Sequence, residues 1–244
     1  MAENDRKTPV NRGEAATPKP ASASPNSEIE AFLAKARTMA PAAMADGRGR
    51  LIFALDATMS RQPTWDTACK LQAEMFEEAG KIGGLDVQLI YFRGFNECRA
   101  SKWVSDARAM RDLMTAIDCR GGHTQIGKVL SHARKEAGRQ KVGVLVFVGD
   151  ALEEPIDRLA AIAGELGLLG LRIFIFQEGR DPNVERGFRE IARLSGGAYA
   201  HFDLNAAGEL AQLLRAAAVY AAGGLKALAK SAGAGSRLLL EQMR

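Results

Sequence analysis

The chain has 244 residues, 47% of them apolar and 25% charged, with 25 Gly and 8 Pro. Those are the proportions of a globular protein with a substantial core, and they exclude a disordered or fibrous chain. The net charge is +4, yet four bases against one acid in residues 226–244, and four against three in residues 1–27, account for all of it and leave the body between them neutral. A neutral body lacks the basic stripe that holds a phosphate backbone, so no nucleic-acid partner is expected. The three cysteines, Cys69, Cys98 and Cys119, are odd in number and scattered. They do not form a disulfide framework, and they fit a reducing compartment. The first ten residues, MAENDRKTPV, lack the apolar stretch of a signal peptide. The most apolar candidate for a membrane span, residues 216–225, is short and interrupted by Gly223 and Gly224. A cytoplasmic location without a membrane partner is therefore expected.

Residues 1–27 hold half of the prolines among Ala, Ser, Thr and Lys and are expected to be a disordered tail. Ser27 through Glu30 then reads as a capping box, followed by Ile29, Phe32, Leu33 and Ala36 on one helical face. A short helix and linker are expected over residues 28–49. From residue 50 strand and helix signals alternate. Residues 51–55 are an apolar strand, and Trp65, Ala68, Leu71, Met75, Phe76 and Ala79 form a helical stripe that stops at Gly80. Residues 87–92 read as a strand, with 97–104 folded back on it. Residues 107–116 read as a helix, and Ile126, Val129, Leu130, Ala133 and Ala137 form another apolar face. The run 142–148, VGVLVFV, is unbroken in hydrophobicity, as in a parallel strand covered on both sides. Pro155 sits in the first turn of a helix with Ile156, Leu159, Ile162 and Leu166. A strand over 172–176, a helix opened by Pro182, a strand over 199–202 and a helix capped by Asn205 complete the pattern. Such alternation predicts a doubly wound α/β fold, a mostly parallel open sheet flanked by helices on both faces, over residues 50–222. Residues 223–244, rich in Ala and Gly at their start, are expected to be a flexible C-terminal segment.

Ligands of open α/β sheets sit beyond the carboxyl ends of the strands. Three polar segments fall there. The first strand ends in Asp56, Ala57, Thr58, Met59 and Ser60; the loop before the Ile126 helix reads Gly121, Gly122, His123, Thr124, Gln125; the strongest strand ends in Gly149 and Asp150. Asp56, Thr58, Ser60, Thr124 and Asp150 supply two carboxylates and three hydroxyls. These are hard oxygen donors suited to Mg²⁺ or Mn²⁺ and not to a zinc-type site.

D-x-T-x-S after an apolar strand, then G-G-x-T-x-x-G, then strand-x-D, resemble the metal-ion-dependent adhesion site (MIDAS) of the von Willebrand factor type A (VWA) domain. The resemblance extends over roughly residues 50 to 220. The run from Ile191 to Tyr199 is similar to the family's helix and turn into its last strand. The chain departs from the pattern at Thr58, where Ser is commoner, at Gly149, where many members have Thr, and at Ala151, where many have Gly. The resemblance implies a Rossmann-like VWA fold and a non-enzymatic module. It would bind Mg²⁺ (or Mn²⁺) through Asp56, Thr58, Ser60, Thr124 and Asp150, and then a partner protein presenting Asp or Glu. By analogy with related bacterial domains, which often serve as adaptors, the resemblance implies an AAA+ ATPase or assembly complex as the partner.

Competing signals are weaker. Gly122 to Val129 nearly matches a phosphate-binding loop, but Val129 stands where the Mg²⁺-binding hydroxyl is needed. A phosphate- or nucleotide-processing enzyme using Asp56 as nucleophile would carry a second acid where Thr58 stands. Cys119 and His123 make at most half of a zinc site, and no G-x-S-x-G is present. The remaining alternative is a metal-blind interaction domain on the same fold.

Overall fold

The computed structural model describes residues 48–203 and 207–243. The tail, the helix expected after Ser27 and the cap at Asn205 lie outside them. Within them the elements are β1 (Gly49–Asp56), a 3-10 turn (Met59–Arg61), α1 (Gln62–Gly80), β2 (Leu85–Arg93), β3 (Glu97–Val104), α2 (Ala107–Thr115) and α3 (Ile126–Arg139). They continue as β4 (Val144–Gly149), α4 (Ile156–Leu168), β5 (Arg172–Glu178), α5 (Pro182–Ser195), β6 (Ala198–Phe202), α6 (Ala207–Lys230) and α7 (Ala234–Gln242).

The strands form one sheet in the order β3-β2-β1-β4-β5-β6. All neighbours are parallel except β3, which folds back antiparallel on β2. β4 is buried at every residue and β1 at all but Arg50, because helices cover both faces. The period of two along each strand divides the core into two layers. Leu51, Phe53 and Leu55 of β1, with Val144, Val146 and Val148 of β4, face a layer closed by α1, α2, α6 and α7. Ile52, Ala54, Leu145 and Phe147 face the other, closed by α3, α4 and α5. The doubly wound architecture is thus as the hydrophobic pattern requires. The central strands read as continuous apolar runs because both of their faces are interior.

The C-terminus differs from the expectation. α6 runs through Gly223 and bends at Gly224, whose φ is +66°. After a short turn α7 returns to the sheet, and Leu228 and Leu239 are both fully buried. The Ala and Gly content that suggests flexibility instead permits close packing. A Cβ on Gly235 would stand 2.5 Å from the Gln212 carbonyl oxygen of α6. At the end of α7 the Gln242 amide meets the outer strand: the Tyr199 N–H donates to its Oε1 at 2.8 Å, and its Nε2 donates to the Tyr199 carbonyl at 2.6 Å. Leu239→Ala is expected to cost about 2 to 5 kcal/mol of stability in a urea unfolding curve, the range for a buried leucine. A flexible segment would cost nothing.

Candidate metal centre

β1 delivers Asp56 to the carboxyl edge of the sheet, where the residue is 4% exposed. One of its oxygens accepts the Thr58 N–H at 2.8 Å, a local turn that folds the chain back over the strand end. The 3-10 turn follows at once, with the Arg61 N–H donating to the Thr58 carbonyl at 2.9 Å. The loop before α3 is laid across the same edge by backbone bonds: Arg120 N–H donates to the Ala57 carbonyl at 2.9 Å and His123 N–H to the Gly94 carbonyl at 3.2 Å. Gly122 lies against Gly94 so closely that any Cβ would overlap its carbonyl. That approach admits only glycine.

Thr124 is fixed by the loop after β4. Its N–H donates to Glu153 Oε2 at 2.8 Å, and its hydroxyl oxygen accepts the Glu153 N–H at 3.1 Å. The neighbouring carboxylate of Glu154 accepts the N–H groups of Ile126 and Gly127 at 2.7 and 2.8 Å. α3 therefore has an N-terminal cap supplied by a distant loop and not by Gln125, its own flanking residue.

Asp56, Thr58, Thr124 and Asp150 meet in one cleft of about 200 Å³, with Gly122 and Glu153 on its wall. Four of the five expected residues are thus brought together; the side chain of Ser60 lies outside the described residues. Among the described residues no group of three or more His, Cys, Asp or Glu side chains could hold a metal ion; the oxygen-bearing side chains that line the cleft are hydroxyls and carboxylates together. Arg61, Glu153, Glu154 and Glu178 complete the site and were not singled out in the sequence. Arg61 directly follows the D-x-T-x-S run and Glu153-Glu154 closely follows Asp150, which is the only signal they carry. Arg61 approaches Asp150 at 3.2 Å and also pairs with Glu178, which accepts the Thr64 hydroxyl.

No protein-family profile and no curated protein sequence matches the chain. Solved structures do. A von Willebrand factor type A structure from Catenulispora acidiphila is 14% identical with a TM-score of 0.55, over 70% of this chain and 43% of that one. The chain has the von Willebrand factor type A fold. An aerotolerance-related membrane protein from Bacteroides fragilis is 18% identical, with a TM-score of 0.54 over 70% of this chain and 98% of its own. Proximal thread matrix protein 1 from the mussel byssus, solved with a zinc-occupied MIDAS motif, is 14% identical with a TM-score of 0.54, over 72% of this chain and 47% of that one. At these identities the likeness is one of VWA fold. Among the described residues no helix is long and apolar enough to cross a membrane.

The electrostatics of the VWA cleft centre on Asp56. Burial, together with the Asp150 carboxylate nearby, pushes its pKa up to about 6, although the Thr58 hydrogen bonds and Arg61 pull the other way. The donor types and this strained pair of carboxylates fit a hard divalent cation, whose charge would relieve both. The thiols do not compete. Burial lifts Cys69, Cys98 and Cys119 to about 11, as for inert packing cysteines. Cys119 packs in the first core layer, whereas the His123 ring lies outside against Phe95, with centroids 5.2 Å apart, and against Glu153. Val129 is fully buried in the α3 face, as the apolar pattern requires.

Because the folded pKa of Asp56 lies above the ordinary 3.8, the folded chain takes up this proton before the unfolded chain does. Its stabilising effect is complete below about pH 4 and is lost as the pH rises through 6. In chelator, the stability of wild type relative to Asp56→Asn is expected to be about 1 to 2 kcal/mol greater at pH 5 than at pH 7.5 by urea unfolding. A pH-independent difference would contradict the burial argument.

Proposed function

We propose that the chain is a metal-ion-dependent protein-interaction module. Asp56, Thr58, Ser60, Thr124 and Asp150 hold Mg²⁺ (or Mn²⁺), and the bound ion receives an Asp or Glu carboxylate of a partner protein. The observation that carries this reading is the convergence of four oxygen-bearing side chains, from the ends of β1 and β4 and the loop before α3, on one small cleft at the carboxyl edge of the sheet. Neutral hydroxyls do not quench a cation's charge, and two carboxylates balance a divalent ion without overshooting it. A site so composed keeps the ion attractive to an anionic ligand. The metal-occupied MIDAS of the mussel matrix protein, which shares the fold, supports the same reading. The module turns over no substrate. An adaptor role for an AAA+ ATPase or another assembly complex, in the cytoplasm, is the setting proposed for it.

Calorimetric titration of the full chain with Mn²⁺ is expected to give one site, weakened at least about tenfold in Asp56→Asn and in Thr124→Val, since each loses a donor. Immobilised wild-type chain is expected to retain a partner from lysate in Mg²⁺ and release it in EDTA, and Asp56→Asn to retain none. Equal Mn²⁺ binding by all three proteins would refute the site.

A further inference from the structure

We propose that Arg61 is the built-in counter-ion of this centre, and that its sharing between Asp150 and Glu178 sets how tightly a divalent cation binds. The inference rests on the metal-binding reading above. One acidic residue stands at the carboxyl end of each of three adjacent strands: Asp56 of β1, Asp150 just after β4 and Glu178 of β5. Arg61 reaches two of the three. Its side chain is 11% exposed, against 29% for Asp150 and 8% for Glu178, with Asp150 at 3.2 Å and Glu178 as the second partner. A guanidinium keeps its charge at every relevant pH. One such charge does not neutralise the carboxylates of Asp56, Asp150 and Glu178, with Glu153 beside them on the cleft wall, and the negative charge left over favours a cation.

The arrangement has a direction. Glu178 is the more buried partner, and it also accepts the Thr64 hydroxyl from the first turn of α1, which orients it toward Arg61. The guanidinium can therefore stay anchored on Glu178 while Asp150 exchanges it for the cation. The backbone of Arg61 is fixed to Thr58 by the same 3-10 turn, so anchor and donor belong to one short segment. Asp150 is thus a ligand held in reserve: its charge is partly answered before any ion arrives, and the cost of freeing it enters the affinity.

Two substitutions that preserve shape separate this role from plain structural support. Arg61→Gln removes the competing charge, and Mn²⁺ is expected to bind it about tenfold or more tightly than wild type in calorimetry of the full chain. Glu178→Gln removes the anchor and leaves Arg61 wholly to Asp150; binding is expected to weaken about threefold or more. Binding by Arg61→Gln without any by wild type would support the role in its extreme form. If Arg61 only braces the loop, both variants bind more weakly, which overturns the proposal; so does unchanged binding in either. Cooperative melting establishes that each variant folds; should Arg61→Gln not fold, Arg61→Met takes its place with the same expected tightening, and unchanged or tighter binding by Glu178→Gln is contrary to the proposal in either case. Failure of wild type and both variants to bind Mn²⁺ at all would instead remove the metal reading on which the inference stands.

Discussion

An ionisable group at the last position of a strand that is buried on both faces cannot be solvated by water and must be answered by the chain around it. Asp56 is that group. The β1 strand has to be apolar on both sides to sit at the middle of the sheet, so the first polar side chain it can carry is at its exit. There the Thr58 N–H and the loop before α3 close over it, and the charge of Arg61 acts on it from a greater distance. Burial still outweighs them, and the pKa of Asp56 is raised. A fold that only needed a strand terminus would gain stability from a neutral residue at this place. A poorly compensated carboxylate beside a second one is a place where a bound cation would be stabilising, in keeping with the function proposed above.

The same edge shows how loops with little structure of their own are given fixed positions. The segment between α2 and α3 contains two glycines and few side chains able to pack. Its course is set by main-chain bonds to the exits of β1 and β2 and by two successive glutamates after β4. Glu153 holds the Thr124 main chain and Glu154 holds the first turn of α3. Because both glutamates follow Asp150 in the chain, the loop after β4 and the loop before α3 are tied together, in part through the Thr124 hydroxyl itself, which accepts the Glu153 N–H. The cleft residues are therefore held in place by the chain itself, an arrangement that would lower the ordering cost of binding a ligand there.

Much of this was legible in the residues, and the reasons differ by element. The runs at β1 and β4 and the 3.6-residue stripes of α1, α3, α4 and α5 are strong because each element buries its apolar face in a single way. The spacing Asp56, Thr58 and the separate Thr124 and Asp150 are visible because strand ends collect polar residues in open sheets. Arg61 and Glu178 were not visible, since a pairing between the end of β5 and the turn after β1 depends on which strands are neighbours, and sequence does not order the sheet. Glu153 and Glu154 look like surface acids until the loop they hold is laid beside them. Residues 223–244 misled for a physical reason. Small residues weaken local propensity, and the same small residues let α6 and α7 approach closely enough for Leu239 to reach the core.

The glutamine at the end of α7 has a wider meaning for the molecule. A sheet always ends in strands whose amides and carbonyls face outward and invite another chain to zip on. On one flank, β3 answers this with charged positions such as Glu97, Arg99 and Lys102. On the other, β6 is short and largely apolar, a poor guard against strand exchange between copies. Gln242 imitates one residue of a seventh strand there, donating and accepting once each with Tyr199. The last helix thereby covers this edge of the sheet at Tyr199, and a chain trimmed before it would leave that amide and carbonyl open to another strand.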